Sequence, residues 1–119
     1  MTRRKVPQQG DVYWINPNPV MGHEMKDRHR FVVITRAEIN AFGLVMMVPI
    51  TSGGQFSRNA GFTTPVLGHE TNGVALCNQV RTFDLAARVA NGSAHYLETL
   101  DESAMHPIIL LVLSIIDPD

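Results

Sequence analysis

Between Gly22 and Arg30 the chain reads GHEMKDRHR, which packs two histidines, Glu24, Asp27 and three basic side chains into one short segment. Histidine exchanges a proton near neutral pH, and an arginine can hold two oxygens of one phosphate. His23 and Arg30 therefore have the means for acid–base or anion-binding chemistry. A solvated connection would be polar without any such role. His23 and His29 stand six apart with no cysteine pair nearby, a spacing that matches no usual zinc site, so no metal is expected.

A second group, Thr51-Ser52-Gly53-Gly54, follows an apolar run directly. It lacks the lysine and the spacing of a P-loop. Its hydroxyls and backbone N–H groups can line an oxyanion site, or simply make a turn. Asn78, Gln79 and Arg81 form a third group after the run GVAL. At alternating positions of a strand they would read base edges or close an exposed face. Cys77 lies in the same apolar run and reads as a core residue, because no neighbour lowers its pKa.

These groups must be positioned by strands. Asp11–Asn16 alternates Val12 and Trp14 against Tyr13 and Ile15, and stops at the Pro17–Pro19 pair. Phe31–Thr35 and Leu44–Ile50 are nearly continuous apolar runs, as strands buried on both faces should be. Phe62–Val66, Gly73–Gln79 and Ser93–Leu97 complete the expected strands, and Ala37–Phe42 is expected to form a short helix ended by Gly43. Asp101 or Thr99 can cap a terminal helix running to about Ile116, which Pro107 should kink or delay. Asp84 and Arg88 would pair across one helical turn. Short strands plus one terminal helix predict a mainly β fold, a small curved antiparallel barrel with the helix packed on it. Ile108–Ile116 is apolar except for Ser114. It is either covered by another chain or buried in a tight core.

The chain has 119 residues, 45% of them apolar, and a net charge of -1, which reads as a single domain spanning 1–119. One cysteine excludes an internal disulfide framework, no run is long enough to span a membrane, and the basic N-terminus lacks the apolar stretch of a secretory signal. A cytoplasmic location is expected. The small net charge hides an asymmetry. Residues 1–60 carry eight basic against four acidic side chains, and residues 61–119 carry two against seven. A polyanion partner fits if the fold gathers the first-half arginines on one face.

In order along the chain, the segments resemble the MazF/PemK family of toxin–antitoxin endoribonucleases, and its PemK/Kid-like and ChpB-like members most. The matching blocks are Gly10-Asp11-Val12, Asn16-Pro17 through Gly22-His23-Glu24, Arg30 before FVVIT, VPITSGGQFSRNAGF (Val48–Phe62) and GVALCNQVRTFDLAAR (Gly73–Arg88). The resemblance implies a homodimer of SH3-like barrels of the CcdB/PemK type, without a cofactor, cleaving single-stranded RNA independently of metal. The substrate's own 2′-OH would attack, leaving a 2′,3′-cyclic phosphate and a 5′-OH. It also implies a cognate MazE/PemI-like antitoxin, with operator DNA bound only through that antitoxin, and no membrane.

Carried over residue by residue, Arg30 and Thr51 are the expected catalytic pair, and His23 assists the acid–base step. Ser52, Ala60, Phe62, Gly73 and Val74 match RNA-contacting positions, with Phe62 a stacking platform for a base, and Glu24, Asn78, Gln79 and Arg81 are further expected substrate-binding residues. Two positions depart from the pattern. Leu76 and Asn78 stand where Kid-like toxins have an arginine and an aspartate, so the resemblance assigns no general base. Arg30-Phe31 replaces Arg-Pro, which removes a fixed backbone angle beside Arg30. The alternative is a non-enzymatic member of the same barrel superfamily acting by protein binding. A gyrase poison of the CcdB kind needs a tryptophan-containing C-terminus, and the tail SIIDPD has none. A degenerate toxin kept as an antitoxin-binding module is the remaining form of that alternative.

Overall fold

The computed structural model describes residues 6–16, 28–52 and 61–117. The Pro17–Pro19 pair, His23, Glu24, Gly53, Gly54, Arg58 and Ala60 lie outside these stretches. The described residues run β1 (Asp11–Ile15), β2 (His29–Val33), α1 (Ala37–Asn40), β3 (Val45–Thr51), β4 (Thr63–Leu67), β5 (Asn72–Leu76), β6 (Arg81–Phe83), α2 (Leu85–Ala90), β7 (Ala94–Thr99) and α3 (Glu102–Ile116). The strands form one antiparallel sheet in the order β4-β5-β3-β2-β1-β7, with β6 also paired to β3.

Strand alternation explains the apolar runs. Val12, Val32, Val48, Ile50, Val66 and Ala75 point into one core, which α3 covers with Met105, Ile108 and Val112. Tyr13, Ile15, Phe31, Val33, Val45 and Met47 point into a second core on the other face, closed by Phe83, Leu85 and Ala94. β2 and β3 are thus buried on both faces, as their sequences require.

The sheet curls into a barrel-type fold without a ladder between its two outer strands. β7 carries a bulge against β1, where the pairing passes from Val12↔Glu98 to Tyr13↔Tyr96 and leaves Leu97 unpaired. A bulge bends its strand, and here β7 turns toward the loop after β4. The Glu98 carboxylate accepts the backbone N–H groups of His69 and Glu70 at 3.0 and 2.9 Å. Gly68 makes this approach possible, since a Cβ there would lie 2.7 Å from a Leu100 methyl and 2.9 Å from a Glu98 oxygen.

Several expectations shift. The strand expected at Gly73–Gln79 ends at Leu76, and Gln79 N donates to Leu76 O at 3.1 Å in a turn. Asn78 and Gln79 are therefore turn residues and not alternating strand positions. Arg81 opens β6, a strand too short to show in the sequence. The helix expected at Ala37–Phe42 stops at Asn40, whose side-chain amide donates to the carbonyls of Pro7 and Thr35. Pro107 does not delay α3, which starts at Glu102 with Asp101 at its N-cap. The backbone bond that Pro107 forfeits would go to Ser103, and both residues face water. Thr99 lies in β7 instead, donating its hydroxyl to buried Asp11 at 2.7 Å. Asp84 does not pair with Arg88. It caps α2 by accepting from Ala87 N, while Arg88 Nη1 donates to Asn16 O at 2.9 Å.

Candidate functional site

Ladder partners on adjacent antiparallel strands share a face of the sheet, and one such row crosses four strands near one end of this one. His95 of β7 stands opposite Trp14 of β1, Trp14 opposite Arg30 of β2, and Arg30 opposite Ile50 of β3. Arg30 is half-buried at the start of β2, and Thr51, the next residue after Ile50, is the last of β3. The register therefore sets Arg30 and Thr51 diagonally across one strand pair, at the end of the sheet where β3 finishes and residue 52 leaves it. Strict alternation assigns their side chains to opposite faces of the sheet at this rim.

Two local features hold the rim. Gly73 pairs its strand against Thr51 so closely that a Cβ would fall 2.2 Å from the Thr51 carbonyl oxygen. Only glycine lets β5 approach there. Phe31 takes the place of the proline expected after Arg30. It is 2% exposed and packs edge to face on Phe83, with centroids 5.0 Å apart. The aromatic anchor and the ladder keep Arg30 in register opposite Trp14 and Ile50 without a proline.

Arg30 shares one aromatic ring with a second guanidinium. Its guanidinium carbon lies 5.8 Å from the centroid of Trp14, and that of Arg28 lies 4.5 Å from the same ring. Among the described residues no carboxylate pairs with either arginine; the ion pair found there joins Arg36 to Glu38.

The other expected contact residues are distributed unevenly. Ser52 is exposed beside Thr51, and Gly73 is half-buried. Val74 is only 5% exposed, so its side chain belongs to the interior and offers RNA no surface. Phe62 exposes its ring at the entry to β4 while its carbonyl accepts from Cys77 N at 2.9 Å. Three strand spacings separate β4 from β2, about 14 Å. Asn78 and Gln79 are exposed in the turn after β5. Arg81 pairs with Met47, four residues along β3 from Thr51 and so about 13 Å away. Its guanidinium lies 5.3 Å from the Phe83 ring, and it does not join the rim. Trp14, Arg28 and His95 were missed in the sequence because the pairing that groups them runs across strands.

Two groups away from the rim have shifted pKa values. Burial pushes the Cys77 thiol up to about 11, which agrees with its reading as an inert core residue. For Glu98 burial acts to raise the pKa. The Thr71 hydroxyl and the backbone N–H groups around the carboxylate outweigh it, and the group sits below its ordinary value.

Residues 8–114 match a family described as PemK-like, MazF-like toxin of type II toxin–antitoxin system. The chain belongs to this toxin family. It is 34% identical over 113 residues to the endoribonuclease PemK of Escherichia coli, covering 92% of this chain and 82% of that protein. It is 38% identical over 93 residues to the endoribonuclease toxin ChpB of Escherichia coli strain K12, covering 76% and 80%. Among solved structures, MazF from Deinococcus radiodurans superposes with a TM-score of 0.73 at 25% identity, covering 95% of the toxin and 98% of that chain. A MazE–MazF complex from the same organism gives 0.71 at 22% identity, covering 95% and 97%, a likeness of fold. The SH3-like barrel reading of the toxin is thus matched by solved members of the family. Among the described residues of the toxin, no helix is long and apolar enough to cross a membrane.

Proposed function

We propose that this endoribonuclease toxin cuts single-stranded mRNA, independently of metal, at a phosphodiester held beside Arg30 and Thr51. The 2′-OH attacks phosphorus and gives up its proton to a base, the bond to the 5′ oxygen breaks, and that oxygen takes a proton. The products are a 2′,3′-cyclic phosphate and a 5′-OH. Arg30 stabilises the charge of the phosphorane, Thr51 holds the phosphate, and His23 assists the proton transfers. The observation that carries the reading is Arg30 itself, a half-buried guanidinium whose described partner is an aromatic ring and not a carboxylate. Ser52, Gly73 and the ring of Phe62 extend the site. Glu24, Ala60, Asn78, Gln79 and Arg81 remain proposed outer contacts, Arg81 on the distant strand end.

The toxin acts in the cytoplasm as a homodimer, with a cognate MazE/PemI-like antitoxin through which it reaches operator DNA. Leu110, Leu113 and Ile116 are each more than half exposed on α3, beside a buried face formed by Met105, Ile108 and Val112. This half-covered helix is what a second copy would complete. Purified protein incubated with a long single-stranded RNA in EDTA, followed by primer extension, tests the activity. Cleavage abolished by Arg30→Ala is the expected result. Absent cleavage overturns it in favour of a non-enzymatic barrel, and cleavage equal in the variant overturns the role given to Arg30.

A further inference from the structure

Trp14 and Arg28 have no part in the catalytic assignment, yet the geometry ties both to Arg30. Arg28 and Arg30 are two residues apart, and both guanidinium groups lie against one indole ring, at 4.5 and 5.8 Å from its centroid. Two like charges gathered on one ring repel each other. The negative face of an indole offsets part of that repulsion and fixes where each cation sits. No described carboxylate neutralises either one, so the pair presents two cations whose complement is an anion. Trp14 is itself held from both sides, opposite Arg30 on β2 and His95 on β7, and is only half exposed. A ring carried on a backbone paired on both sides is a firmer support than two free arginine side chains, each of which would have to be ordered by the ligand.

We infer that Trp14 is the positioning residue for a two-guanidinium phosphate clamp, in which Arg30 meets the scissile phosphate and Arg28 the neighbouring phosphate of the same RNA strand. The inference rests on the placement of the scissile phosphate beside Arg30. Arg28 then contributes binding along the backbone without regard to base, and Trp14 contributes to turnover through Arg30.

Trp14 is the only tryptophan of the chain, so its fluorescence reports on the clamp alone. A short RNA made of 2′-O-methyl nucleotides lacks the attacking hydroxyl and serves as an uncleavable probe. Titrated into the full-length protein, it should change the emission saturably, and Arg28→Gln should weaken its binding about fivefold. The slope of log affinity against log salt should fall by about 0.7, the contribution of one phosphate contact on a single strand. Arg36→Gln, the same charge change in a residue paired with Glu38, should leave both unchanged.

In cleavage assays Trp14→Leu should lower kcat about tenfold with a smaller change in KM. Trp14→Phe should recover most of that loss, and Arg28→Gln should act mainly on KM. Circular dichroism of each variant separates these effects from unfolding. An emission unmoved at saturating probe overturns the clamp. So does a folded Trp14→Leu protein with the parent kcat, or a salt slope that Arg28→Gln does not alter. If the parent protein binds the probe as described but cuts no RNA, the clamp stands and the cleavage reading fails.

Discussion

Phe31 and Phe83 meet edge to face, 5.0 Å between centroids and 77° between planes, in the core on the side of β2 away from Arg30. The residue after the proposed catalytic arginine is therefore fixed by packing and not by a ring-locked backbone angle. Phe31→Ala should cost about 3–5 kcal/mol, seen as a lowered urea midpoint. Where the variant is still folded, RNA cleavage should fall more than the folded fraction does, because Arg30 loses its anchor.

Gly73 lies so close to the carbonyl of Thr51 that no side chain fits without moving a backbone. Gly73→Ala should destabilise the fold by about 2–3 kcal/mol and displace Thr51. Chemical denaturation would measure the first effect. Comparison with Thr51→Ala in the cleavage assay would measure the second, and both variants should be defective in kcat.

Glu98 holds the turn after β4 to β7 with a carboxylate whose pKa is lowered in the folded protein. A lowered carboxylate pKa contributes stability above the unfolded value, and that contribution is lost as the pH falls through the folded value. Glu98→Gln should be less stable than the parent by about 1 kcal/mol at neutral pH. The two should converge as the solution is acidified. Thermal melts of both proteins across a pH series would show the gap closing.

Cys77 is buried with a thiol pushed up to about 11. Iodoacetamide should leave it unmodified in the native toxin at mildly alkaline pH and label it fully in urea, as read by intact mass. With the sign of a raised pKa, its contribution to stability is complete below the ordinary thiol range and lost as the pH rises toward the folded value.

What the sequence revealed and what it hid divide by physical range. β2 and β3 were legible because burial on both faces leaves an apolar run with no polar alternation. Asp84 ahead of an apolar stretch and Asn91-Gly92 after it are sound boundaries for α2, yet that helix was read only as a condition on a charge pair. β6 has three residues, too few for any period to emerge. At the site, Arg30, Thr51 and Gly73 were found through local blocks of sequence. The stacking of Arg28 and Arg30 on Trp14 depends on the β1–β2 register, and the Glu98 link depends on a contact 29 residues away. Neither leaves a local signature. The burial of the Val74 side chain is hidden for the same reason, since membership of a motif does not tell which of its side chains face inward.

The Glu98 seam also has a consequence in time. Six strand pairings are held by ladders of backbone bonds, whereas β4 and β7 are joined by one side chain gripping two amides. Opening that seam exposes the amide protons of His69 and Glu70 without breaking a ladder, so they should take up deuterium well before those of β2 and β3. The barrel should therefore open first at a place set by one carboxylate, at the edges of the sheet and away from the strand pair that carries Arg30 and Thr51.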